Sequence, residues 1–161
     1  MAYVQENYPL ALQYYLEGLQ TRREIGDKFG IAASLTNLGL LAYKQQNYPE
    51  GLGYFRESLV LKKELVDKYG IAVALLGLAA IAAKVGFKEG STLQLQRATR
   101  LAGATSAMLA AINGALQPAE REIYDEIIET TRSHLGEAAF DAIFAEGQAL
   151  SGDEAVNLGL A

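Results

Sequence analysis

The chain has 161 residues, half of them hydrophobic and a fifth charged, the balance of a folded domain with a continuous core rather than of a disordered segment. It holds no cysteine and a single histidine, His134, which excludes a disulfide framework, a thiolate metal site, a cysteine nucleophile and a multi-histidine metal centre. The net charge is 14 − 19 = −5, unevenly placed: residues 1–88 carry 10 basic and 8 acidic side chains, residues 89–161 carry 4 and 11.

Neither part offers the basic face that neutralising phosphates requires, so direct nucleic-acid binding is not expected. The mildly basic first part suits an acidic partner or the chain's own acidic tail. At the N-terminus, MAYVQENYPL shows no basic region followed by a hydrophobic stretch, and nothing in it reads as an export signal.

The same segment begins an internal echo. AYVQENYPLAL, from Ala2, returns as AYKQQNYPEGL, from Ala42; EIGDKFGIAASL, from Glu24, returns as ELVDKYGIAVAL, from Glu64. With a shift of 40, 20 of the 45 pairs between 2–46 and 42–86 are identical, a period that signals stacked supersecondary units. Each unit predicts two helices. Pro9 and Pro49 fit a first helical turn. Leu12, Tyr15, Leu16 and Leu19 then follow at helical spacing, as do Leu52, Phe55 and Leu59. Gly30 and Gly70 are expected to end these long helices in a left-handed conformation. The next helices carry the stripes Ile31, Leu35, Leu38, Ala42 and Ile71, Leu75, Leu78, Ala82. Neither helix can bury its stripe alone, whereas antiparallel pairs stacked side by side can. The longest uncharged apolar run, 71–83, has 13 residues, short of the ~20 that span a bilayer. A soluble, cytoplasmic protein that engages no membrane is the expectation.

Beyond residue 88 the pattern changes. A helix is expected over 91–112, stopped by Asn113-Gly114. Another starts at Gln117-Pro118 with Glu120 and Glu122 in its positive first turn and closes at Gly136. A third covers 137–150 with Phe140, Ile143 and Phe144 inward, and Ser151 and Glu154 form a capping box for a last short helix.

Leu35, Leu38, Gly39 and Ala42, followed by Tyr48, Gly51, Phe55 and Ser58, give residues 35–59 a pattern that resembles a tetratricopeptide repeat. The small residues let helices approach and Phe55 fills the gap between them. The period is 40 against the family's usual ~34, and Lys63 replaces the motif's closing proline. In this frame the chain is one domain, 1–161, with a partial first repeat over 2–29, a second over 30–69, a degenerate third over 70–112 and an acidic helical cap over 113–161. The fold implied is all-α, an antiparallel helix-pair superhelix with a helical C-terminal cap. RLAGA at 100–104, LQPAEREIYDE at 116–126 and the run from Leu135 to the end resemble the extreme C-terminus of large bacterial signal-transduction ATPases and transcription regulators. Those proteins join a DNA-binding or signalling domain to an NTPase module and then to tetratricopeptide repeats. Because the frame opens in mid-unit, the expectation is the C-terminal part of a longer protein.

Chemistry is not advertised. No glycine-rich loop precedes Gly-Lys-Ser/Thr, and no G-x-G-x-x-G follows a strand. Glu120, Glu122, Asp125, Glu126 and Glu129 read as a solvated face partly paired with Arg121 and Arg132, and His134 as a surface residue in a last helical turn. No catalytic residue, cofactor or metal is expected. By correspondence with the repeat family, the partner-binding groove falls to Thr36, Asn37, Leu40, Tyr43 and Lys44 in one unit and Ala80 and Lys84 in the next, among Ala33, Val73, Leu76 and Ala83. Asn37, Tyr43 and Lys44 resemble positions that hold a peptide's carboxylates or backbone, although Gly77 stands in place of Asn37 in the following unit. The resemblance implies a scaffold or sensor that binds a peptide, a protein or a sister domain. Self-association through the open N-terminal end is a further expectation. The alternative is a small-molecule effector domain controlling an NTPase or a DNA-binding domain, marked by a pocket of several hundred Å³ lined by tyrosine and a few polar groups.

Overall fold

The structure, a computed structural model, describes residues 7–161; the part of the first repeat at 2–6 lies outside the described residues. Eight helices and no strand make up the described chain: α1 Tyr8–Ile25, α2 Lys28–Lys44, α3 Tyr48–Glu64, α4 Lys68–Glu89, α5 Thr92–Ala111, α6 Pro118–Leu135, α7 Glu137–Gln148 and α8 Gly152–Leu160.

Pro9 and Pro49 sit in the first turns of α1 and α3. The glycines expected to end those helices instead lie in the first turns of α2 and α4. Asp27 and Asp67 cap these helices, their carboxylates accepting the amides of Gly30 at 3.0 Å and Gly70 at 2.9 Å. A β-carbon at either glycine would lie 2.2 Å from the capping Oδ2, so glycine lets the aspartate fold closely over the first turn. The left-handed residues that close α1 and α3 are Gly26 at φ 70° and Val66 at φ 54°.

Short connections make successive helices antiparallel. The α2–α3 and α4–α5 pairs pack most extensively, and α3 also packs on α4. Phe55 is fully buried at the centre of this stack. Its ring lies between Gly39 of α2 and Gly77 of α4, where an added β-carbon would stand 2.7 Å and 2.4 Å from it. Residues 70–83 of α4 are all buried. The apolar run of 13 is the middle of a 22-residue helix that is long and apolar enough, by length and composition, to cross a membrane; 83% of its apolar window is buried inside the fold.

The C-terminal helices complete the core. Ile123, Ile127 and Thr131 of α6 are buried at helical spacing, which turns one face of α6 onto α4 and α5. In α7, Phe140 and Ile143 are buried. It meets α5 backbone to backbone: a β-carbon at Gly103 would lie 2.2 Å from the Phe144 carbonyl, and one at Gly147 2.1 Å from that of Arg100. The capping box at Ser151 and Glu154 starts α8, which crosses α3, α4 and α5 with Gly159 against Leu59, Leu75 and Leu78. The molecule is an all-α solenoid of helix pairs closed by C-terminal helices, the architecture the tetratricopeptide resemblance implies.

If the Phe55 ring sets the spacing of α2, α3 and α4, Gly77→Ala should cost about 1–3 kcal/mol through overpacking. In a Phe55→Ala background, itself destabilised by about 3–5 kcal/mol, the same change should turn favourable, because alanine's helix propensity is then what remains. Urea denaturation of the four proteins reads this coupling; additive effects would rule it out.

Candidate functional site

The first helix of the second unit and the acidic helix of the cap form one cleft. Leu40, Tyr43 and Lys44 of α2 face Ala119, Glu120, Glu122, Ile123 and Glu126 of α6 across a cavity of about 260 Å³. The stripe of Ile123 and Ile127 anchors α6, and its other faces carry the carboxylates. Two of the three glutamates are tethered. Tyr69 donates its hydroxyl to Glu120 at 2.7 Å, and the same carboxylate accepts the Gln117 amide at 3.0 Å. Glu126 lies beside Tyr43 and pairs with Lys84 at 3.7 Å. Burial, then the charge of Glu126 and the neighbouring Tyr48, push the Tyr43 phenol well above its ordinary value. Its ring is tilted against Tyr48 at a centroid distance of 6.2 Å. Glu122 is exposed.

The seven candidate residues thus separate. Leu40, Tyr43 and Lys44 line the cleft, and Lys84 joins it through Glu126. Asn37 is exposed on α2, one turn before Leu40. Ala80 does not reach the cleft: it is buried in the core cluster that holds Ile123 and Ile127. Val73, Leu76 and Ala83 are buried too, whereas Ala33 is exposed. Part of the α4 face assigned to a groove is therefore covered by the chain's own α6. The signal was present in the spacing of Ile123, Ile127 and Thr131, on a segment whose charge drew attention to its opposite side.

Thr36 belongs to a polar centre between α2 and α3 that sequence reasoning missed. Lys62 of α3 is 6% exposed and donates Nζ to Thr36 Oγ1 at 2.7 Å. The Thr36 and Ser58 hydroxyls lie 2.9 Å apart, and Ser58 donates to the Ala32 carbonyl at 3.0 Å. Lys62 makes no ion pair with a described carboxylate. Burial lowers its pKa to about 8, with Asp67 and Glu120 acting in the opposite direction. The same repeat position in α1 is Arg22, which donates to Ser34 of α2. A basic residue at 22 and 62, each over the glycine that follows its helix, was visible in the repeat.

A larger cavity, about 620 Å³, lies elsewhere, with Val66, Ile71, Met108, Ile112, Leu150 and Val156 in its walls and Lys63, Lys68, Gln148 and Asp153 beside them. No tyrosine lines it. His134 is exposed, its Nδ1 2.8 Å from the Thr130 carbonyl and its ring edge-on to Phe87. Among the described residues no three His, Cys, Asp or Glu side chains cluster so as to hold a metal ion.

Residues 31–68, which take in most of α2, all of α3 and the entry to α4, match the family model described as tetratricopeptide repeat. No curated protein and no solved structure matches the chain.

Because the folded pKa of Lys62 is about 8 against an ordinary 10.5, the unfolded chain holds a proton in that window that the folded chain has released, and stability rises with pH across it. Tyr43, Tyr48 and Tyr69 have raised folded values against an ordinary 10.0, so stability falls again above it. Unfolding free energy should therefore peak near the upper end of the Lys62 window. Lys62→Met should remove the rising limb and add about 1–3 kcal/mol near neutral pH; denaturant titrations over the pH range check both effects.

Proposed function

We propose that this chain is a non-enzymatic interaction module whose α2–α6 cleft takes a partner segment carrying a basic side chain. Tetratricopeptide repeats generally mediate protein–protein interaction. The observation that carries the finer reading is the make-up of the cleft: Leu40, Tyr43 and Lys44 on one wall opposite Glu120, Glu122 and Glu126 on the other, so that even with Lys44 and Lys84 counted the carboxylates outnumber the lysines three to two. A carboxylate entering there would meet like charge, whereas a lysine or arginine meets opposite charge and the Tyr43 ring. The polarity is the reverse of the carboxylate-holding role drawn from the family for Asn37, Tyr43 and Lys44. At about 260 Å³ the cavity suits one long side chain, with the rest of the segment lying along α2 and the exposed Asn37. The resemblance of the tail to bacterial regulators supports a place in the C-terminal part of a larger signalling or transcription protein, where a sister domain could supply the segment. A second reading, a small-molecule effector domain, draws support from the apolar walls of the 620 Å³ cavity.

Selection of a displayed random peptide library on the protein should enrich lysine or arginine beside apolar residues. Glu122→Lys and Glu126→Lys should weaken the selected peptides by roughly tenfold or more, the worth of one charge-assisted contact. Enrichment of acidic peptides, or affinities indifferent to both reversals, would refute the cleft.

The same reading includes a second copy of the chain on α1. Tyr15 occupies the repeat position of Phe55 yet is 38% exposed, alongside exposed Leu10, Tyr14 and Leu16. In the following unit α3 is packed on both sides, by α2 and α4, whereas α1 packs on α2. Light scattering over a concentration series should show association that Leu16→Glu abolishes; a monomer throughout would exclude it.

A further inference from the structure

The second unit keeps two cations of the first but not their partners. Arg23 pairs with Glu57 of α3 at 2.7 Å, and Lys28 with Glu64 of the same helix at 3.5 Å. Forty residues on, the basic residues return as Lys63 and Lys68, whereas the glutamate positions, now on α5, hold Arg97 and Ala104. Lys63 turns instead to the exposed Asp153 of α8 at 3.7 Å. Lys68 makes no ion pair with a described carboxylate. Its neighbour Asp67 is engaged elsewhere, its carboxylate accepting the Gly70 amide at 2.9 Å and acting on Lys62. Val66 departs from the first unit in the same way. It shares a repeat position with Gly26, and both are left-handed, at φ 54° and 70°. Glycine adopts that conformation freely and a β-branched residue at a cost, yet the Val66 side chain is exposed and gains no burial in return.

All three departures meet at the cavity of about 620 Å³, a volume within the roughly 300–1,000 Å³ of ligand pockets. Its floor is apolar: Ile71 and Val156 are buried, and Met108 is half-buried and adaptable in shape. Its mouth is open, since Lys63, Val66 and Lys68 are exposed. Ala161 lies at the far end of α8, against Arg56, and does not line it. Two lysines against one aspartate leave the lining with a charge of 2 − 1 = +1 on a chain of net −5. We propose that this cavity binds an amphipathic organic anion, its oxyanion on Lys68 and its apolar body against Val66, Ile71, Met108 and Val156. An ammonium group is a point charge that takes carboxylates and phosphates alike, so the oxyanion is the shared chemistry. The site rests on the small-molecule reading, which it narrows to one class of ligand, and it shares no residue with the α2–α6 cleft.

The chain has two methionines, Met1 and Met108, so ¹³C-methyl labelling of methionine in the full chain puts one reporter in the cavity wall. Octanoate and octyl phosphate serve as anionic probes, with octanol and octylammonium as neutral and cationic controls. The Met108 methyl resonance should shift saturably with one or both anions, at concentrations at least about fivefold below those either control needs; the anion with the tighter curve identifies the oxyanion. Lys68→Glu, an exposed change that suits the first turn of α4, should weaken the anions at least about fivefold and favour octylammonium. Anion binding that this variant leaves unchanged overturns the site. Octanol bound as tightly as the anions overturns the anion and leaves the small-molecule reading standing, whereas a Met108 methyl unmoved by all four probes overturns both.

Discussion

The seating of one aromatic ring against two glycines governs this molecule. Phe55 cannot be buried between α2 and α4 unless both present a backbone without a β-carbon, and Gly39 and Gly77 supply that surface from opposite sides. The ring is the spacer of the stack, because its thickness sets how near the three helices lie. That spacing brings α4 into the middle of the fold, where residues 70–83 have no solvated face. A helix so placed needs cover on every side, and the C-terminal helices provide it: α6 through Ile123 and Ile127, α5 along its length, and α8 through Gly159 against Leu75 and Leu78.

The repeat, its helix pairs and the buried role of Phe55 were legible because they rest on spacing, and spacing survives in one dimension. What was lost are places where one residue type serves two purposes. Glycine after Asp-Lys-aromatic reads as a helix stop, yet at positions 30 and 70 it yields room for a capping aspartate. The actual stop in the second unit is Val66, 71% exposed and left-handed, a conformation that a β-branched residue adopts at a cost and that no propensity rule would assign to it. Gly77 stands where the preceding unit has Asn37, and its part is to admit a ring from the neighbouring helix. No local pattern distinguishes the two, because the constraint comes from a residue 22 positions earlier.

The candidate site divides along the same line. Leu40, Tyr43 and Lys44 could be placed from the register of α2 alone. The opposite wall could not, since it required knowing that α6 docks on α4. The acidic run on α6 satisfies helical pairing rules such as Arg121 with Asp125 at 3.3 Å, and such a helix is usually solvated all along that side. Its isoleucine stripe turns one side inward and leaves the carboxylates partly exposed and partly facing α2. Thr36 shows the converse. Its place in the register of α2 is compatible with a groove, but the hydroxyl is taken by Lys62 and Ser58, so the side chain is committed to holding α2 and α3 together.

The distribution of charge in space follows from these placements and differs from its distribution along the chain. Lys62 on α3 turns toward a neutral acceptor, a threonine hydroxyl. Its positive charge is therefore withheld from surface ion pairing, whereas Glu122, Asp125 and Glu129 stand exposed on α6. The exposed face of α6 is therefore rich in carboxylates, and the field around it is set by these solvated charges. Lys62 also feels the Glu120 carboxylate, which ties the buried base of the α2–α3 seam to one wall of the cleft. The interior that holds the repeats together and the walls of the α2–α6 cleft are parts of one electrostatic arrangement.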